Sequence, residues 1–197
     1  MNLSIKSVNK SFGNRRVLKD FSCDFEEVGL YVLAGESGSG KTTLMRLISG
    51  LDNNYSGEII GGGTKSTSFL FQEKRLFPTL SALENVLLLS FSAYSDLDLS
   101  RTKAGFEMLG FSESDMALMP SELSGGMQQR VSFLRAVMRD APILLLDEPT
   151  KELDEKNRLI INDMIKEEAT RRLVIISTHN AADIAYLSPT VINLSDI

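Results

Sequence analysis

At 197 residues, with 43% hydrophobic and 24% charged residues, the chain has the size and composition of one folded domain able to bury a core. No apolar run reaches the roughly 20 residues of a membrane helix, and the opening "MNLSIKSVNKSF" lacks the apolar stretch of a signal peptide, so a cytoplasmic location is expected. A single cysteine, Cys23, and a single histidine, His179, exclude an intramolecular disulfide and argue against zinc or haem, while a net charge of -5 argues against nucleic acid or anionic lipid as an overall partner.

In chain order, "LSIKSVNKSF" and "RVLKDFSCDF" alternate partly between apolar and polar positions and predict two half-buried strands. "GLYVLAG" (Gly29 to Gly35) is a more continuous apolar run, as in a fully buried parallel strand. From Lys41 the period changes. Leu44, Leu47, Ile48 and Leu51 share one helical face, and Gly50 lies near the end of that helix. Ser81 and Glu84 have the spacing of a capping box, and a less regular helical pattern continues to about Met119, as in a lobe inserted between two halves of a sheet. "LSGGMQQR" opens another helix, with Met127, Val131, Leu134 and Met138 on one face. "APILLLDEPT" and "RRLVIISTH" are apolar runs ending in polar residues, before a short helix, "AADIAYL", and a last strand, "TVINL". The polar endings matter, because open α/β sheets bind ligands at the carboxyl ends of their strands.

Gly35-Glu36-Ser37-Gly38-Ser39-Gly40-Lys41-Thr42, followed by Thr43, matches G-x-x-x-x-G-K-[ST] between a strand and a helix. The glycines let backbone N–H groups turn inward around phosphate oxygens, and the helix N-terminus adds a positive dipole. Lys41 reaches the terminal phosphates, and the Thr42 hydroxyl can ligate Mg²⁺. A nucleoside triphosphate is the expected ligand. Asp147 emerges from a buried run, where an unpaired carboxylate is costly, so a metal with its water is a natural partner; the adjacent Glu148 can then orient or deprotonate the attacking water. Ser124, Gly125 and Gly126 make a second glycine-rich helix start, which read alone is either a cap or an anion site.

The order of the phosphate loop, "FLFQEKRLFPTLSALENV", "LSGGMQQR", "ILLLDEPT" and "STHN" closely resembles the ATP-binding subunits of ABC transporters. The resemblance covers nearly the whole chain. It implies a single ABC ATPase domain over residues 1–197: a P-loop NTPase core with a mixed, mainly parallel sheet and flanking helices, an N-terminal antiparallel β subdomain, and an inserted helical lobe at about 73–135. It also implies ATP and Mg²⁺ as cofactors and two copies packed head to tail, with Ser124, Gly125 and Gly126 of one capping the γ-phosphate held by the other. Hydrolysis should then loosen the dimer.

By the same resemblance, Phe12 matches an adenine-stacking aromatic, Gln72 a glutamine reaching Mg²⁺ and the water, and His179 a histidine contacting the γ-phosphate. Read without it, Phe12 is equally a core residue, His179 a satisfied histidine at a strand end, and Gln72 carries no signal. Asp154 matches the aspartate of the loop after the catalytic glutamate. Lys151 and Glu152 depart from the small residues usual there, as do Met127 from a usual glutamine and Thr42 from the commoner serine.

The single set of motifs argues against twin-cassette factors, the short stretch from Gln72 to Leu123 leaves no room for the coiled coil of long coiled-coil ATPases, and with 18 residues after His179 no C-terminal regulatory domain is expected. The expected partner is a transmembrane permease, which provides the only membrane contact, with a homodimer of cassettes on the cytoplasmic face. "FQEKRLFPTLSALENV" is most similar to small importer cassettes for sulfonates, nitrate and taurine. Cassettes of lipoprotein-release and macrolide-type exporters have similar text, and a soluble ABC ATPase is the rival class. Leu76, Phe77 and Leu80 are candidates for a groove receiving a permease helix, or for packing inside the lobe.

Overall fold

A computed structural model describes residues 2–88 and 96–194 and shows two compact units. The first comprises the chain up to Phe69, Ala141–Glu148, and the chain from Ile165 onward; the second comprises Leu70–Asp140 and Pro149–Met164. In the first unit, β1 (Ser4–Phe12) and β2 (Arg15–Asp24) form a hairpin over the two-residue turn Gly13–Asn14, where Gly13 takes φ +57°. β4 (Ser56–Ile60) pairs antiparallel on the other side of β1, giving the order β2-β1-β4. Its exposed, glycine-containing sequence has no alternation that a reading by periodicity detects.

The main sheet has the order β5-β6-β7-β3-β8, from β5 (Thr67–Leu70), β6 (Ile143–Asp147), β7 (Leu173–Ser177), β3 (Gly29–Ala34) and β8 (Thr190–Asn193). β6 pairs with β7, and β3 with both β7 and β8, all parallel. Every residue of β6 and β7 is buried, which is why they read as continuous apolar runs. The core gathers Ile5, Val8 and Phe21 from the antiparallel sheet, Leu33, Leu145 and Ile175 from the main sheet, and Leu44, Leu47 and Ile48 from α1 (Lys41–Ile48). α1 stops one turn short of the expected apolar face: Gly50 at φ +70° turns the chain, and Leu51 lies beyond it, 49% exposed. Leu145 is fully buried and stands opposite Ile175. Leu145→Ala should therefore lower unfolding free energy by about 2–5 kcal/mol, seen as a lower urea midpoint at unchanged slope; a loss below about 0.5 kcal/mol would mean that the sheet interior is not packed as described.

The second unit is mainly helical. α2 (Ala82–Leu87) opens on the expected capping box: Glu84 N donates to Ser81 Oγ at 3.3 Å, and Ser81 N to Glu84 Oε2 at 2.7 Å. The helical pattern running to Met119 crosses residues 89–95, which lie outside the described residues; beyond them come α3 (Asp96–Met108), α4 (Glu113–Met116), a 3₁₀ turn (Pro120–Glu122) and α5 (Gly125–Met138). In α5, Val131 and Leu134 are fully buried as expected. Met127 and Met138 are only half-buried, and Phe133, Ala136 and Val137 complete the inner face. Buried Asn85 ties the 77–81 loop, accepting from Phe77 N at 2.8 Å and donating to the carbonyls of Phe77, Leu80 and Ser81. This tie leaves Phe77 49% exposed, while Leu76 and Leu80 are half-buried. After β6 come α6 (Glu155–Ala169) and, beyond β7, α7 (Ala181–Leu187). Among the described residues no helix is long and apolar enough to cross a membrane.

Candidate functional site

The register of the main sheet assembles the site of the first unit. Asp147 at the end of β6 stands opposite Ser177 at the end of β7, and Ser177 stands opposite Leu33, one residue before the end of β3. Three strand ends therefore come level, and each leads into one expected motif: Gly35 onward, Glu148, and Thr178-His179.

After β3 the loop Gly35–Gly40 turns on glycines at φ +146° (Gly35), +82° (Gly38) and +102° (Gly40). At Gly40, the residue capping α1, a Cβ would lie 2.7 Å from Val17 Cγ1, so both backbone angle and space require glycine. Ser39 N donates to Glu36 O at 3.1 Å, closing the turn. Lys41 lies across the loop, its Nζ donating to Gly35 O at 2.7 Å and Glu36 O at 2.8 Å. Ser39 Oγ is buried without a hydrogen-bond partner, an orphaned donor inside the loop that an acceptor such as a phosphate oxygen would satisfy.

Asp147 is 2% exposed, yet both carboxylate oxygens are hydrogen-bonded: Thr42 Oγ1 donates to Oδ2 at 2.6 Å, and Ser177 Oγ donates to Oδ1. The expected compensation of this buried carboxylate is thus met by two hydroxyls. Ser177 was not singled out by the sequence; the signal available was its place as the last residue of an apolar strand. The pairing of Thr42 Oγ1 and Asp147 Oδ2 is an all-oxygen donor set of the kind Mg²⁺ takes beside waters and phosphates, so these residues fit that ion.

Glu148 adopts φ +54°, a left-handed backbone unusual for a glutamate and costing about 1–3 kcal/mol. Its N–H donates to Ser177 O at 3.0 Å and Ser177 Oγ at 3.3 Å, which holds the turn. The side chain is mostly covered and meets exposed His179, with 2.8 Å between Glu148 Oε1 and His179 Nδ1. A carboxylate oriented by an imidazole beside a phosphate loop can take a proton from water, becoming a neutral carboxylic acid. Phe12, at the end of β1, is 53% exposed, so it belongs to the surface and not to the core.

In the second unit, Ser124 caps α5, its Oγ accepting from Met127 N at 3.2 Å, and Ser124 and Gly125 are exposed. The hydroxyl hydrogen of a capping serine stays available as a donor. Gln72 is exposed, and the residues after it are pinned to α5: Ser132 Oγ donates to Lys74 O at 2.7 Å and Arg135 Nη1 to Arg75 O at 2.9 Å. Asp154 caps α6 through Asn157 N and Asn157 Nδ2, both at 2.8 Å, and these hydrogen bonds hold its carboxyl below the usual range. Glu152 also takes a left-handed backbone, φ +65°, and pairs with Lys74 at 2.7 Å, which gives the residue that departs from the family pattern a partner of its own.

A family model described as ABC transporter matches residues 18–151. The aliphatic sulfonates import ATP-binding protein SsuB of Bacillus cereus (strain ZK / E33L) is 36% identical over 210 residues, covering 99% of this chain and 82% of that protein. The Fe(3+) ions import ATP-binding protein FbpC of Brucella abortus (strain 2308) is 35% identical over 207 residues, covering 98% and 58%. Among solved structures, the dimeric post-hydrolysis state of the ATP-binding cassette MJ0796 bound to ADP and Pi superposes with a TM-score of 0.84 at 30% identity, covering 97% of this chain and 93% of that one.

Proposed function

We propose, since the chain belongs to the ABC transporter family as one of its ATP-binding cassettes, that it dimerises on ATP and powers solute import through a transmembrane permease at the cytoplasmic face of the membrane. Import is favoured because the sulfonate and iron relatives are both import ATP-binding proteins and the former aligns with nearly the whole chain. The observation that carries the catalytic reading is the hydrogen bond between Thr42 and Asp147 beside the glycine loop, with Glu148 next in the chain meeting His179 from beyond the neighbouring strand end.

In this reading the whole chain is one cassette with its helical lobe at about 73–135. The backbone N–H groups of Gly35–Thr43, the Ser39 hydroxyl and the Lys41 ammonium bind the phosphates, and Phe12 stacks on adenine. Mg²⁺ held by Thr42 and Asp147, with Gln72 as a further oxygen donor, would neutralise phosphate charge. Glu148 Oε accepts a proton from the attacking water, and His179 orients that carboxylate and faces the γ-phosphate. Ser124, Gly125 and Gly126, with Asp154 nearby in sequence to the catalytic glutamate, serve the partner copy: the α5 dipole, the Ser124 O–H and backbone N–H groups engage a nucleotide that keeps its third phosphate.

Ser124→Arg should leave ATP affinity of the monomer within about 2-fold and abolish ATP-induced dimerisation in light scattering; loss of monomer binding would remove α5 from the dimer role. The reading as a whole is tested by a pull-down with tagged Glu148→Gln protein and Mg-ATP from detergent-solubilised membranes of the source organism. Recovery of a polytopic membrane protein, much weaker with Lys41→Ala, is expected. Recovery of soluble partners alone would instead place the chain among ABC ATPases without a transport role.

A further inference from the structure

We infer that Lys10 is a positioning residue for the nucleotide base: its buried ammonium holds the Phe12 ring from one face and so presents the opposite face to adenine. The inference rests on the reading of Phe12 as the stacking residue. Lys10 is 3% exposed, in a protein whose other lysines serve exposed or half-exposed positions. A lysine ammonium has three donors. Here Nζ pairs with Asp52 Oδ2 at 2.7 Å and Oδ1 at 2.9 Å, donates to Asn54 O at 2.6 Å, and lies 4.8 Å from the centroid of the Phe12 ring. Asn54 N in turn donates to Asp52 Oδ1 at 2.9 Å, so the loop after α1 forms a fixed socket for the ammonium. Lys10 and Phe12 are two residues apart on β1, which puts them on one face of the strand.

Two physical consequences follow for an aromatic that is 53% exposed at the edge of a hairpin turn and meets no other ring or cation among the described residues. A cation against one face restricts the ring's rotamers before the base arrives, so less freedom is lost on binding. It also draws π-electron density away from the opposite face, which lowers the repulsion between that face and the π system of a stacked purine. An ion pair with one buried and one half-buried partner is by itself weak grounds for stability, since apolar replacement of both partners is often neutral. The placement of this one directly behind the exposed ring gives it a function in binding.

The experiment measures dissociation constants for ATP and for inorganic triphosphate, which lacks the nucleoside. It compares the unmodified protein, Lys10→Met, Lys10→Arg, Phe12→Leu and the double variant Lys10→Met/Phe12→Leu. The ratio of the triphosphate constant to the ATP constant isolates the nucleoside's share of binding. Lys10→Met should lower that ratio about 3- to 10-fold while triphosphate affinity holds, Lys10→Arg should restore most of it, and Lys10→Met should add nothing once Phe12 is leucine. Equal weakening of ATP and triphosphate, or no change in either, overturns the inference and leaves Lys10 a structural residue. If Phe12→Leu itself leaves the ratio unchanged, the stacking role of Phe12 fails and the inference with it; if Phe12→Leu lowers the ratio and Lys10→Met does not, only the inference fails. Should Lys10→Met not fold, Lys10→Met/Asp52→Leu removes both charges of the pair and carries the same comparison.

Discussion

Glu148→Gln is expected to bind ATP with affinity within a few-fold of the unmodified protein and to hydrolyse it about 10²- to 10⁴-fold more slowly, the range that general-base catalysis supplies. The substitution is close to isosteric. The backbone at φ +54° is held by the two hydrogen bonds from Glu148 N to Ser177, neither of which involves the side chain. A glutamine can still meet His179 across the 2.8 Å contact, because its amide offers both a donor and an acceptor. What it cannot do is accept a proton from water. The loss should therefore fall on turnover and not on binding, and the ATP-bound dimer should accumulate in light scattering. Single-turnover hydrolysis within about 5-fold of the unmodified rate would take Glu148 out of the base role and direct attention to His179.

Lys41→Ala should weaken ATP binding and turnover together, by about 10²-fold or more in kcat/KM. Hydrogen bonds to charged groups contribute about 1.5–3 kcal/mol each, and an ammonium reaching the terminal phosphates makes more than one of them. The loop itself is shaped by glycine angles and by the Ser39 N to Glu36 O bond, so its fold should survive the loss of the two contacts from Lys41 Nζ to Gly35 O and Glu36 O. An unchanged thermal midpoint beside the lost affinity would locate the effect in phosphate binding. Near-normal turnover would refute the assignment of the loop as the phosphate site, since no other residue of the loop supplies a cation.

The elements that read most directly were those with one dominant local cause. β6 and β7 are continuous apolar runs because both faces are buried, and Ser81 with Glu84 forms a capping box because both halves of the motif lie within one helical turn. β4, short and exposed, gave no periodic signal, and Leu51 fitted the helical period of α1 although Gly50 had already ended that helix.

The sequence by itself determined the phosphate loop, the acidic strand end, the second glycine-rich helix start and the family that their order resembles, because each depends on residues adjacent in the chain. Only the tertiary structure decided which groups meet across it. That Thr42 and Ser177 share the carboxylate of Asp147, and that His179 meets Glu148, follows from the parallel register of β3, β7 and β6, strands that lie far apart in sequence. The same holds for Lys10: its burial against Asp52 and behind Phe12 arises where an antiparallel strand meets the loop after α1, and no local pattern of residues encodes such a long-range meeting.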